Sequence, residues 1–280
     1  MRARVAFANE SRPALRGLWK TGPVVSPGAA GPVLLSDLPL ARLEPPACPS
    51  EEGTRMTAPA KLLTLDWLRS HRTYRTSDGK KVPGVTSVLQ LIPKPALLAW
   101  AWDCGAKGLD LEKARQRPAD AGTICHALIE ADLRGMELDR SNLAPDLLDK
   151  AETSYLRYLE WRDREHWTPV EVEVVMVSEV WRIGGTADLI AQRPDGRLIG
   201  CDFKSGKALY PEAALQLCAY GALYAETHGR QLDELVLVRV PQDVTDGLEV
   251  QVVADVPAKT MAFAALVEAR RRLVEAGIRV

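Results

Sequence analysis

Three apolar runs separated by tight turns, all within residues 170–204, constrain this chain more than any other feature. "VEVEVVMV" alternates apolar and charged side chains, the period-two mark of a strand with one solvated face. "RIGGTADLIAQ" reads as a second strand, and "GRLIGCDFK" as a third after the Pro194-Asp195-Gly196 turn. "PEAALQLCAYGALYAETHG" follows as a helix opened by Pro211 and closed by Gly229. "ELVLVRV" and "EVQVVADV" add two strands, and "AKTMAFAALVEARRRLVEAG" a final helix. A long helix is expected ahead of the first strand, from about Pro145 to Trp167, with Leu148, Tyr155, Leu156 and Leu159 inward. The order helix, three strands, helix, two strands, helix predicts an α/β fold with a central mixed sheet flanked by helices.

Upstream, "YRTSDGKKVPGVTSVL" carries a hairpin signal at Asp78-Gly79. "SVLQLIPKPALLAWAWDCGAKG" reads as two short helices broken by Pro93 and Pro95. "AGTICHALIEADLRG" reads as a helix ending at Gly135, with Ile124, Leu128 and Ala131 as its apolar stripe. Thr123, His126 and Glu130 fall on a different face. Residues 1–60 differ in kind. They hold nine of the nineteen prolines and no sustained period, so they read as a disordered N-terminal extension to a domain spanning 61–280. Ordered patterning starts just after Met56, which is a candidate for the true start.

The net charge of -1 gives no general attraction to nucleic acid, so any such role must come from a local groove or a bound metal. No segment has the unbroken apolar length of a membrane span, and Asn9, Glu10, Ser11 and Arg12 interrupt any leader-like core, so a cytoplasmic protein is expected. The five cysteines include no CxxC pair, which argues against a disulfide framework or a zinc site. Cys125, Cys201 and Cys218 lie in apolar runs and read as buried small hydrophobes. Trp100 and Trp102 read as core residues.

The informative residues are polar ones in apolar places. Asp188 lies inside a strand that is otherwise small or apolar. Asp202 and Lys204 end the next strand, two apart and so on one face. Aspartate is depleted in strands, and a buried unpaired carboxylate is costly. Two such carboxylates on neighbouring strands call for a cation between them, and a hard divalent ion with oxygen ligands suits them. Glu171 and Glu173 are two apart, and strand parity alone does not choose between them. Gln216 and Tyr220 share a helix face, and His126 lies on an earlier helix.

In order and spacing, "GTICH", "VEVEVV", "GGTADLI", "CDFKSGK" and "QLCAY" resemble the motifs of the PD-(D/E)xK nuclease superfamily, particularly its RecB-type and phage-type exonuclease branch. The resemblance runs from about Tyr74 to Val253. It implies a restriction-endonuclease-like core and a divalent-metal-dependent DNA exonuclease of phage or prophage recombination or of DNA repair. It implies that Asp188 is the first acid and that Asp202 and Lys204 form the second half of the motif. His126, Asp188, Asp202, the Phe203 carbonyl and Glu173 would hold Mg²⁺ or Mn²⁺, one ion or two. Glu173 matches better than Glu171. Gln216 and Tyr220 match a helix motif associated with DNA contact and ordering of the site. Ser205, Lys207 and Arg182 are candidate phosphate contacts. The iron-sulfur members carry clustered cysteines after that helix. None follows Cys218 here, so no iron-sulfur cluster is expected. DNA is the expected partner, with a recombination partner protein by analogy. An endonuclease or flap nuclease on the same fold, or a catalytically silent DNA-binding module, are the alternatives.

Overall fold

The strands expected between residues 170 and 204 form in the computed structural model, which describes residues 62–64 and 73–280. The chain divides between Thr57 and Ala58, and all described residues belong to the second unit. The readings made for residues 1–60, including Met56 as a start, lie outside the described residues.

The central sheet has five strands: β5 (Thr168–Ser178), β6 (Ile183–Gln192), β7 (Leu198–Lys204), β8 (Glu234–Arg239) and β9 (Glu249–Val252). They lie side by side in that order, and only the β7–β8 pair is parallel. The sheet is therefore mixed. Helix α5 (Pro211–His228) makes the crossover that the parallel pair needs. It starts with Pro211 in its first turn and ends where Gly229 takes φ 64°. Helices α1 (Val85–Leu89), α5 and α6 (Val256–Glu275) cover one face, burying Val88, Leu217, Leu223 and Phe263 against Ile190 and Leu237. Helices α3 (Leu111–Arg134) and α4 (Pro145–Glu165) cover the other, burying Ile124, Tyr158 and Trp161 against Leu189, Cys201 and Phe203. The remaining pieces are β1 (Leu62–Leu63), β2 (Tyr74–Arg75), β3 (Lys81–Val82), α2 (Pro95–Ala106) and β4 (Glu137–Leu138). No helix among the described residues is long and apolar enough to cross a membrane.

Several local expectations change. Helix α3 begins at Leu111, a full ten residues before the "AGTICH" stretch, with Asp110 accepting the Lys113 amide at its start. Pro118 lies inside it, which obscured the first half. Helix α4 ends at Glu165, and Leu156 points outward, whereas Ala151, Ser154, Tyr158 and Trp161 form the buried stripe. Glu130 is buried rather than on the open side of α3. Trp102 is 82% exposed, not core. Cys125, Cys201 and Cys218 are buried as expected, and Cys104 is buried too. Burial pushes the Cys125 thiol up to about 12 and the Cys218 thiol up to about 11, so neither is a ready nucleophile.

The glycines of "GGTADLI" have a steric reason. A Cβ on Gly184 would sit 2.1 Å from the Tyr74 ring, and one on Gly185 would sit 2.7 Å from the Tyr220 ring. Two tyrosines thus lie directly on bare β6 backbone, and the Tyr74 hydroxyl meets Thr186 Oγ1 at 3.0 Å. The Gly184 amide also donates to Pro83 O, tying the β2–β3 hairpin to the sheet. Gly184→Ala is expected to lower stability by about 1–3 kcal/mol, because the Tyr74 ring is attached to backbone and cannot swing clear. Thermal unfolding of the variant beside wild type measures this. An unchanged Tm contradicts the steric account.

Candidate metal centre

The carboxylates assemble where the sheet loses its regularity. In β5 and β6 the pairing steps from Val172↔Leu189 to Val174↔Ala187, with Glu173 and Asp188 opposite one another between them. Glu173 has φ 54°, a left-handed conformation that side chains other than glycine seldom take. Both strands turn over at this step. Val174 and Ala187 pack into the α5-side core, whereas Val172 and Leu189 pack into the α3-side core. Residues two apart in a regular strand would share a face, so the twist at Glu173 is what separates them.

That twist also separates the two glutamates. Glu171 faces α5, accepting the Tyr224 hydroxyl at 2.9 Å and lying 3.5 Å from His228 Nε2. Glu173 faces α3, where one ligand atom each from His126, Glu173 and Asp188 lies within 4.8 Å of the others. His126 Nδ1 stands 3.6 Å from Asp188 Oδ2. Parity puts both glutamates on one side, and the left-handed residue overrides it.

The β6–β7 ladder stops at Leu189↔Cys201, while β7 keeps pairing with β8 as far as Lys204↔Arg239. The sheet forks there. The Phe203 amide, left without a β6 carbonyl, donates to Asp188 Oδ2 at 2.8 Å. Leu198 and Lys204 turn their carbonyls to the β8 side, where Asp233 and Val240 donate to them. By alternation the Phe203 carbonyl points the other way, into the fork beside Asp188.

Asp202 and Lys204 lie on the α5 face of β7. Asp202 is 2% exposed, and its Oδ2 is 2.6 Å from Lys204 Nζ. That contact is a buried ion pair, and Lys204 is the charge that faces this oxygen. Burial pushes the Asp202 carboxyl up to about 6, Lys204 pulls it back, and Asp188 adds to the rise. For Lys204, burial works against the ammonium, but the charges of Asp202 and Asp188 outweigh it and its pKa rises. Lys204 Nζ also donates to Gln216 Oε1 at 3.0 Å, and Gln216 Nε2 donates to the Tyr220 hydroxyl at 2.7 Å. Tyr220 is 6% exposed, so this pair orders Lys204 from beneath, and Tyr220 does not offer itself to DNA.

The loop after β7 is pressed against α3. A Cβ on Gly122 would meet Ser205 Oγ at 2.8 Å, which explains the glycine of "GTICH". Gln242, which nothing in the sequence singled out, donates to both Pro118 O and Ser205 Oγ, at 2.9 and 3.3 Å. Ser205 is thus beside the fork, and Lys207 follows it as an exposed residue. Arg182 stands apart. It pairs with Asp78 of the β2–β3 turn at 3.1 Å. Five strand residues also lie between it and Asp188, about 20 Å along the chain. It is not a contact for a phosphate held at Asp188.

The cluster offers one imidazole and carboxylate oxygens, and Asp202 on the neighbouring strand adds a buried carboxylate that pairs with Lys204. Such a set fits a hard divalent cation. Residues 97–279 match the family model of the PD-(D/E)XK nuclease superfamily. The chain belongs to this superfamily. Nuclease-superfamily membership accounts for the mixed five-stranded sheet with helices on both faces, and it makes a nucleic acid the substrate class. No curated protein matches the sequence of this nuclease-superfamily member. Among solved structures it is similar to a Eubacterium rectale protein named "Putative exonuclease", at 11% identity, over 57% of this chain and 69% of that one, with TM-score 0.40. It is also similar to SSO0001, at 18% identity, over 75% of this chain and 82% of that one, with TM-score 0.39.

Proposed function

We propose that this superfamily member is a divalent-metal-dependent DNA exonuclease, hydrolysing phosphodiester bonds in a setting such as recombination or repair. The observation that carries the reading is the convergence of His126 from α3, Glu173 from β5 and Asp188 from β6, the last on the strand that pairs with the one bearing Asp202 and Lys204. His126, Glu173, Asp188, Asp202 and the Phe203 carbonyl would hold one or two Mg²⁺ or Mn²⁺ ions. When bound, such an ion polarises a phosphate oxygen and acidifies water.

The chain's own groups do the rest. Asp188 is oriented by the Phe203 amide, with the same Oδ2 standing 3.6 Å from His126 Nδ1. Lys204, fixed between Asp202 and Gln216, directs its N–H groups at charge developing on the phosphate oxygens. Ser205 and Lys207, on the loop after β7, would bind flanking phosphates.

End-labelled linear single- and double-stranded DNA, and covalently closed circular DNA, should be incubated with Mg²⁺ or Mn²⁺. Loss of label from linear DNA with the circle intact is the expected result. Nicking of the circle would make the enzyme an endonuclease. Binding without cleavage under every divalent ion would make it a silent DNA-binding module.

A further inference from the structure

Glu173 is held in an unfavourable backbone state, and one arginine grips the peptide that defines it. The Val172 carbonyl belongs to the peptide linking Val172 to Glu173, the plane about which φ of Glu173 is measured. Arg134 Nη2 donates to that carbonyl at 3.0 Å. The same guanidinium turns its Nε to Glu130 Oε1 at 2.7 Å. Glu130 is 1% exposed, and its other oxygen has no hydrogen-bond partner among the described residues. Burying a carboxylate with one arginine as its described partner is costly, so Glu130 contributes less to stability than to fixing where the guanidinium sits. His126, Glu130 and Arg134 are spaced four apart on α3 and so lie on one stripe. The helix that carries the imidazole of the cluster therefore also reaches across to the kink that turns Glu173 toward it.

We propose that Arg134, oriented by buried Glu130, is a positioning residue that keeps Glu173 in its left-handed conformation and so sets the glutamate as a metal ligand. The proposal rests on the metal reading of the His126–Glu173–Asp188 cluster. Without the grip on Val172 O, Glu173 relaxes to an ordinary strand conformation. Its side chain then turns to the face where Glu171 already lies.

The test is Mn²⁺ titration of the full chain by calorimetry, with no DNA present. The proteins compared are wild type, Arg134→Leu, Glu173→Ala and the double variant. Arg134→Leu is expected to weaken Mn²⁺ binding about tenfold or more, the usual range for groups that orient metal ligands. The double variant should bind no worse than Glu173→Ala alone, because Arg134 acts only through Glu173. A purely structural arginine would instead lower Tm and leave the two losses in affinity additive. Unchanged affinity in Arg134→Leu, or additive losses, overturns the proposal while wild-type binding keeps the metal reading intact. If Arg134→Leu does not fold, Arg134→Lys decides the matter. Lysine keeps the charge beside Glu130 but lacks the planar fork that spans both acceptors. It should bind Mn²⁺ more weakly than wild type, and equal affinity overturns the proposal. A wild-type protein that takes up no Mn²⁺ defeats the metal reading, and Glu173's role as a ligand with it.

Discussion

Lys204→Ala is expected to lower divalent-metal-dependent DNA hydrolysis by about 10²–10³-fold, the usual loss when one donor to a developing negative charge is removed. Mn²⁺ affinity should hold or tighten, because the ammonium 2.6 Å from Asp202 Oδ2 competes with any cation for that carboxylate. Asp188→Ala should behave differently and lose both rate and metal. Its carboxylate belongs to the cluster and is also the acceptor for the Phe203 amide. Initial rates on labelled linear DNA, measured beside Mn²⁺ titrations, separate the two. A Lys204→Ala protein with wild-type rate removes the lysine from the chemistry. One that loses metal in proportion to rate makes it a structural partner of Asp202 and nothing more.

The second large effect is on pH. Burial is the main reason the Asp202 carboxyl rises to about 6 in the folded chain, where Lys204 offsets only part of the cost. An unfolded aspartate titrates near 3.9. Between these values the folded chain keeps a proton that the unfolded chain has released. Stability of the metal-free protein from this group therefore falls as pH rises from about 4 to about 6, by on the order of 2–3 kcal/mol. The cost then persists at higher pH. Other carboxylates act lower down. Asp195 and Asp243 are lowered by hydrogen bonds, from Arg197 and Thr245 respectively, so they are lost only as pH falls below the ordinary aspartate range. On the proposed reading, in which Asp202 takes part in holding the metal, the ion displaces the Asp202 proton, and Mn²⁺ binding should tighten as pH rises through about 6. Melting curves from pH 4 to 7 in EDTA and in Mn²⁺ test both statements. Asp202→Asn should flatten the EDTA profile across that window. A wild-type EDTA profile that rises with pH there would show that the carboxylate is paired well enough to ionise freely.

Much of this was legible in the residues. Alternation in "VEVEVVMV", the Pro194-Asp195-Gly196 turn and the Pro211 and Gly229 helix ends are local signals. They give the order of strands and helices, and with it the mixed sheet. The spacing of His126, Asp188, Asp202 and Lys204 carried the family resemblance. What stayed hidden depends on contacts between distant segments or on a rare backbone state. Glu171 and Glu173 look alike to a period-two reading, and only a left-handed residue in mid-strand divides them. Glu130 falls off the apolar stripe of its helix, and only the structure shows it buried beneath Arg134. Gln216 and Tyr220 share a helix face in the sequence, but only the structure shows the hydrogen bonds that link them to Lys204. Pro118 hid the first half of α3, because a proline inside a helix reads as a stop.

The fork between β6 and β7 carries a consequence for how little the site depends on its surroundings. A carboxylate aimed by neighbouring side chains can wander through rotamers whenever one of those neighbours moves. Asp188 is aimed by a main-chain amide that the diverging strands deprive of its ordinary acceptor. No substitution at position 203 other than proline can withdraw that donor. The Asp188 carboxylate is thereby oriented by the fold of the sheet itself, with no ion or nucleic acid needed to aim it.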